Sequence, residues 1–206
     1  MIHKICLALA VVLAASAPVR ADDDARPPDA TGQTQAKTPA EPEAKTPAEA
    51  AAELFDRLAR TQDSDEAAGI VSALDRLWLE SGSDTSDLLM SRALQAMQGK
   101  SYPLALEVLD AIVDLQPDWA EAWNKRATVR WLAGDSKGSM ADIAETLKLE
   151  PRHLGALAGL GAILEEAGQR EEALRVYQRG LDIAPNYGPM KDAVKRLKAA
   201  VAGQTL

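Results

Sequence analysis

Few side chains in this 206-residue sequence could serve as nucleophile, base or metal ligand: one cysteine, Cys6, and two histidines, His3 and His153. Group-transfer chemistry needs a nucleophile, a base to activate it and a third group to orient the base, or else a metal. A lone thiol allows neither an internal disulfide nor a cysteine-rich zinc site, and two histidines fall short of a histidine-built centre. His153 follows Pro151 in a turn and reads as a solvated residue. Glu165 and Glu166 are neighbours, about 100° apart around a helix, so they do not face each other as an acid–base pair. The triplet Asp22–Asp24 lies in a stretch without large apolar residues, and three adjacent carboxylates without a structured loop hold hard cations poorly. Glycine-rich phosphate loops and nucleophile-elbow motifs are absent. The residues thus point away from an enzyme and from any metal or cofactor. With 31 acidic against 23 basic residues and a net charge of −8, a broad nucleic-acid binder is disfavoured too, because it would need clustered Lys and Arg. A binding or scaffolding role remains.

The chain starts with a short positive stretch (His3, Lys4), an uncharged apolar run from Ile5 to Ala15 and then small residues. An eleven-residue run spans only about half of a roughly 30 Å hydrocarbon core. The pattern is that of a secretory signal peptide over 1–21, with Val19 and Ala21 preparing a cut before Asp22. Cys6 lies inside the apolar run, so it reads as an ordinary leader residue and not as a lipid anchor. An exported protein is expected, with a bacterial periplasm the preferred compartment and no stable membrane insertion. Residues 22–46 carry four prolines and no large apolar side chain. They are expected to form a disordered linker, because they cannot bury enough surface to offset the entropy of ordering.

Order is expected from Thr46 onward. Thr46 with Glu49 has capping-box spacing, and Pro47 suits a first helical position. Leu54, Phe55 and Leu58 give one apolar stripe. Ala67, Ile70, Val71, Leu74, Leu77 and Trp78 give a second, after Asp63 and Glu66 repeat the start signal. The spacing predicts a helical hairpin, 47–61 and 64–81, within a segment 47–85.

Beyond it, Pro117, Pro151 and Pro185 recur at a 34-residue spacing, a period that marks stacked supersecondary units. The units are 86–119, 120–153 and 154–187, each a helix pair ending just before its proline. Place 8 of each unit is small (Ala93, Ala127, Gly161), as is place 20 (Ala105, Ser139, Ala173). Small residues are expected where two helix backbones approach closely. Place 24 is large (Leu109, Ile143, Tyr177), and Trp123 and Leu160 add to the apolar face. Arg126 and Arg130 stand in the second unit where the third has Leu160 and Leu164, and Pro103 opens the second helix of the first unit. A last helix, expected over 189–201 within 188–206, carries Lys191, Lys195, Arg196 and Lys198. It reads as the polar cap that lets a solenoid end in water.

These places resemble the tetratricopeptide repeat family, most closely in the third unit with Leu157, Leu160–Gly161, Ala173, Tyr177 and Pro185. The resemblance covers 86–187, with 47–81 like a degenerate hairpin of the same kind. It implies an all-α, right-handed solenoid whose first helices line a concave groove. By that resemblance the groove is lined by Met90, Leu94 and Met97, then Glu121, Asn124, Thr128, Trp131 and Leu132, then Ala158, Ala162, Glu165 and Glu166. Trp131 would anchor an apolar peptide whose basic residues meet Glu121, Glu165 and Glu166. The other reading of Trp131 is inter-repeat core against Leu94 and Met97. The expected partner is a protein or peptide. A small-ligand carrier using the cavity under Trp131, or a structural subunit of an envelope complex, are the rival roles.

Overall fold

The computed structural model describes residues 45–202. The leader expected over 1–21, nearly all of the linker and the end of the chain lie outside these residues. The described residues form nine α-helices and no strand: α1 Pro47–Arg60, α2 Ser64–Trp78, α3 Asp84–Gln98, α4 Tyr102–Leu115, α5 Ala120–Leu132, α6 Ser136–Leu149, α7 Leu154–Glu166, α8 Arg170–Ile183 and α9 Gly188–Ala202. No described helix is long and apolar enough to cross a membrane.

Local chemistry sets the ends. Thr46 and Glu49 close a reciprocal capping box, with the Thr46 N–H donating to the Glu49 carboxylate at 2.8 Å and the Glu49 N–H to the Thr46 hydroxyl at 3.3 Å. Asp63 accepts from the Asp65 and Glu66 amides at 2.7 and 3.2 Å and starts α2. Between the paired helices the chain reverses through one left-handed residue. Gly134 (φ +87°) and Gly168 (φ +76°) fill that place in the second and third units, whereas the first uses Lys100 at φ +56°. A side chain there meets the steric penalty that glycine avoids.

The pairs α3–α4, α5–α6 and α7–α8 pack in succession, and α9 closes on α8. The small places are buried as expected: Ala93, Ala105 and Ala173 at 0% exposure, Ser139 at 1% and Ala127 at 2%. Gly161 has a stricter reason to be glycine. A Cβ built on it would lie 2.5 Å from the Tyr177 ring, so the large residue at place 24 sits in the space that a missing side chain leaves.

The N-terminal hairpin packs elsewhere than along the stack, α1 chiefly on α8 and α2 on α9. Its core residues Leu58, Ala67, Ile70, Val71 and Leu74 share one buried cluster with Leu154, Leu157, Ala184 and Met190. Helix α2 stops at Trp78, three residues short of the expected 64–81 span. The carbonyl of Trp78 accepts from the Trp119 indole at 2.8 Å, and that of Ser81 from the Gln116 amide at 3.4 Å. The backbone leaves the helix where the loop around Pro117 offers both donors.

Candidate functional site

The face made by α3, α5 and α7 carries the residues expected to line a groove. Met90 is only 2% exposed and belongs to the α3–α4 core, on which Leu94 and Met97 pack half-buried. A cleft of about 450 Å³ opens over this part of α3, bordered by Leu79, Asp87, Met90, Leu94 and Gln98. Between α5 and α7 lies a smaller cavity of about 80 Å³, lined by Asn124, Thr128, Trp131, Gly155, Gly159 and Ile163. Leu132, the residue after Trp131 at the end of α5, is 47% exposed. Ala158 and Ala162 are half-buried and Glu166 is exposed.

Trp131 is half-buried and packs on Ala127, Ile143, Ala156 and Ile163, so its contacts run forward to the third unit and not back to Leu94 and Met97. Its indole N–H donates to the Glu166 carboxylate at 2.8 Å. One of the three carboxylates expected to meet a basic peptide is therefore held by the anchor itself. A second, Glu165, receives the Arg196 guanidinium at 2.8 and 2.9 Å. Beside it, burial and the hydrogen bond to Glu165 push the Tyr177 phenol up to about 12. Helix α9 thus supplies a counter-charge to the C-terminal turn of α7.

The third carboxylate corrects the surface reading most sharply. Glu121 is 1% exposed and cannot meet a partner's charge. Its oxygens hold the Lys125 ammonium at 2.6 Å, the Asn124 amide at 2.9 Å and His153 Nε2 at 2.8 Å. Burial works against this carboxylate, but the His153 hydrogen bond and the Lys125 charge outweigh it and hold its pKa below the ordinary value. His153 itself, expected in solvent, is 0% exposed. Its Nδ1 accepts the Ala156 amide at 3.2 Å and so caps α7, which leaves the proton on Nε2 for Glu121. With both ring nitrogens satisfied, the imidazole can be buried without an orphaned polar atom. Its face stacks on Trp78 of the hairpin at 4.4 Å.

This contact exposes a repeated feature that the motif comparison missed. Place 34 of the three units holds Trp119, His153 and Tyr187, a ring every time. Trp119 donates to the Trp78 carbonyl and His153 stacks on the Trp78 ring. Tyr187 packs on the core that the hairpin shares. The residue before it adds more in two loops: the Arg152 guanidinium lies 3.9 Å from the Phe55 ring centroid, and the Asn186 amide donates to the Thr61 carbonyl at 2.9 Å. The hairpin is therefore strapped across all three proline loops. The ring at place 34 was the available signal, but nothing in one unit says what the ring touches.

Among the described residues no group of three or more His, Cys, Asp or Glu side chains is placed to hold a metal. No family model matches the chain. A TPR repeat-containing protein of Rhizobium etli is 41% identical over 151 residues, which cover 73% of this chain and 74% of that protein. A small glutamine-rich tetratricopeptide repeat-containing protein of Mycosarcoma maydis is 23% identical over 120 residues, 58% of this chain and 34% of its own length. Among solved structures, the Sgt2 TPR domain from Aspergillus fumigatus superposes with a TM-score of 0.56 at 20% identity, covering 60% of this chain and 83% of that one. The first TPR domain of RPAP3 bound to an HSP90 peptide gives 0.54 at 19% identity, covering 57% and 93%.

Proposed function

The chain belongs to the tetratricopeptide repeat family, and on that premise we propose that it is an exported scaffold gripping a partner protein through the face of α3, α5 and α7. The observation that carries the proposal is an open, mixed surface there. Leu132, 47% exposed, follows half-buried Trp131 in α5, and a cleft over α3 sets Leu79 and Leu94 among Asp87, Ser91, Gln95 and Gln98. A structure neighbour with the same fold is bound to an HSP90 peptide, which makes a peptide segment the natural occupant. The leader pattern at 1–21 supports export, with the folded part acting outside the compartment of synthesis.

The pairing of Glu121, Glu165 and Glu166 inside the protein shifts the expected ligand. Recognition rests on apolar contact with Leu94, Met97, Trp131 and Leu132 more than on basic partner residues. A small-ligand carrier would use the cavity under Trp131, and about 80 Å³ is small against the roughly 300–1,000 Å³ of typical ligand sites.

Leu132→Arg tests the groove, since it places a charge on an exposed position with no internal partner. Cross-linking in envelope extracts should capture one specific protein with the parent and lose it with the variant, at unchanged thermal stability. Equal capture by both would refute the groove. Export is checked separately by sequencing the N-terminus of the expressed protein, which should begin at Asp22.

A further inference from the structure

Away from that face, the hairpin and the first two proline loops enclose a cleft of about 330 Å³. Leu77 and Ala51 give it apolar wall, and the indoles of Trp78 and Trp119 border it. Four carboxylates also line it, and they differ in kind. Glu121 is taken by His153 and Lys125, and Glu150 by Arg152. That leaves Glu80 and Asp118, both exposed, whose carboxylates make no ion pair or side-chain hydrogen bond among the described residues.

We propose that this cleft is a second docking site, for a lysine-bearing segment of a partner protein. Trp78, held against His153, and Trp119, held on the Trp78 carbonyl, give a fixed wall along which the aliphatic stem of a lysine can lie. Two unpaired carboxylates supply the counter-charge for an ammonium without breaking any internal pair. The one cation in the wall, Arg152, is already neutralised by Glu150 and lies over the Phe55 ring. An anionic ligand would meet Glu80 and Asp118 unpaired and is excluded by the same geometry. The net charge of −8 favours approach of a basic segment from a distance. The site is separate from the α3–α5–α7 face, so a partner could engage either or both.

The probe is a capped hexapeptide, Gly-Lys-Ala-Ala-Lys-Gly amide, titrated into the full chain by calorimetry with tryptophan fluorescence as a second readout. Measurable binding is expected, weakened about tenfold or more by the Glu80→Gln, Asp118→Asn double variant and by acetylating the peptide lysines. A control variant, Glu107→Gln with Asp114→Asn, removes the same charge from the exposed side of α4 and should bind like the parent. Circular dichroism confirms that both variants fold. Equal weakening in the control would reduce the effect to bulk charge and overturn the site. Undiminished binding in the double variant, or spermidine binding as tightly as the peptide, would also overturn it.

Discussion

Between α7 and α8 the two helices meet through apolar groups, with Leu160, Leu164 and Val176 around the Gly161–Tyr177 contact. At the same three places in the second unit stand Arg126, Arg130 and Asp142. Arg126 grips Asp142 with two bonds of 2.9 and 2.8 Å, reaches Asp110 of the preceding unit at 2.8 Å and lies 4.7 Å from the Trp123 ring centroid. Arg130 adds a bond of 3.0 Å to Asp142. Burial opposes the Arg126 charge, but its bonds to Asp142 and Asp110 outweigh that and push its pKa up. The difference shows that the repeat demands close approach at places 8 and 20, and tolerates either oil or a closed ion network beside it. The network carries one extra property, since Asp110 and Asp142 tie neighbouring units to one guanidinium.

The largest effect should come from opening that network. Arg126→Ala leaves Asp142, 2% exposed, buried without its main partner and should cost about 3–5 kcal/mol in urea unfolding. Replacing the pair together, Arg126→Met with Asp142→Leu, should return stability to within about 1 kcal/mol of the parent, because no charge is then stranded. If the single change were as mild as the double, the charged unit would not depend on its pairing. In the apolar unit Gly161→Leu drives a side chain into the Tyr177 ring and should cost about 1–3 kcal/mol, and a neutral result would refute the helix register.

A gain is expected at the turn where the first unit departs from the other two. Lys100→Gly removes a left-handed strain and should stabilise by about 1 kcal/mol, read as a raised Tm. The smallest effect concerns the hairpin. Asp75 of α2 is pushed above its ordinary value of 3.8 by burial and by the nearby Glu121 charge. A raised carboxyl favours the folded state when protonated and loses that advantage as pH rises through its folded value. Asp75→Asn should therefore raise Tm at pH 7, with the gain vanishing towards pH 3.8. Glu121 has the opposite sign: its lowered value stabilises above its ordinary 4.5 and is lost as pH falls below it. A Tm gain for Asp75→Asn that persisted unchanged in acid would show that charge is not its cause.

Much of the repeat was legible because its signals are local. Small residues at places 8 and 20 and the terminating prolines act within one helix pair, and Thr46 and Asp63 cap helices from within three residues. The candidate groove was only partly legible. Leu132 is exposed, but no periodicity could say that Glu165 would find Arg196 or that Glu121 would be sealed under His153. The two arginines of the second unit looked like departures from the family pattern, and only the arrival of Asp110 and Asp142 makes them a core.

The order of residues alone therefore settled the helices, their pairing and their period, since helical hydrogen bonds, caps and close backbone approach depend on neighbours along the chain. The fold in space chose where the hairpin docks, which acidic groups stay free and which become structural. Those outcomes hang on contacts such as that of Asn186 with Thr61, 125 positions apart. Whether such a contact forms depends on the packing of every unit in between.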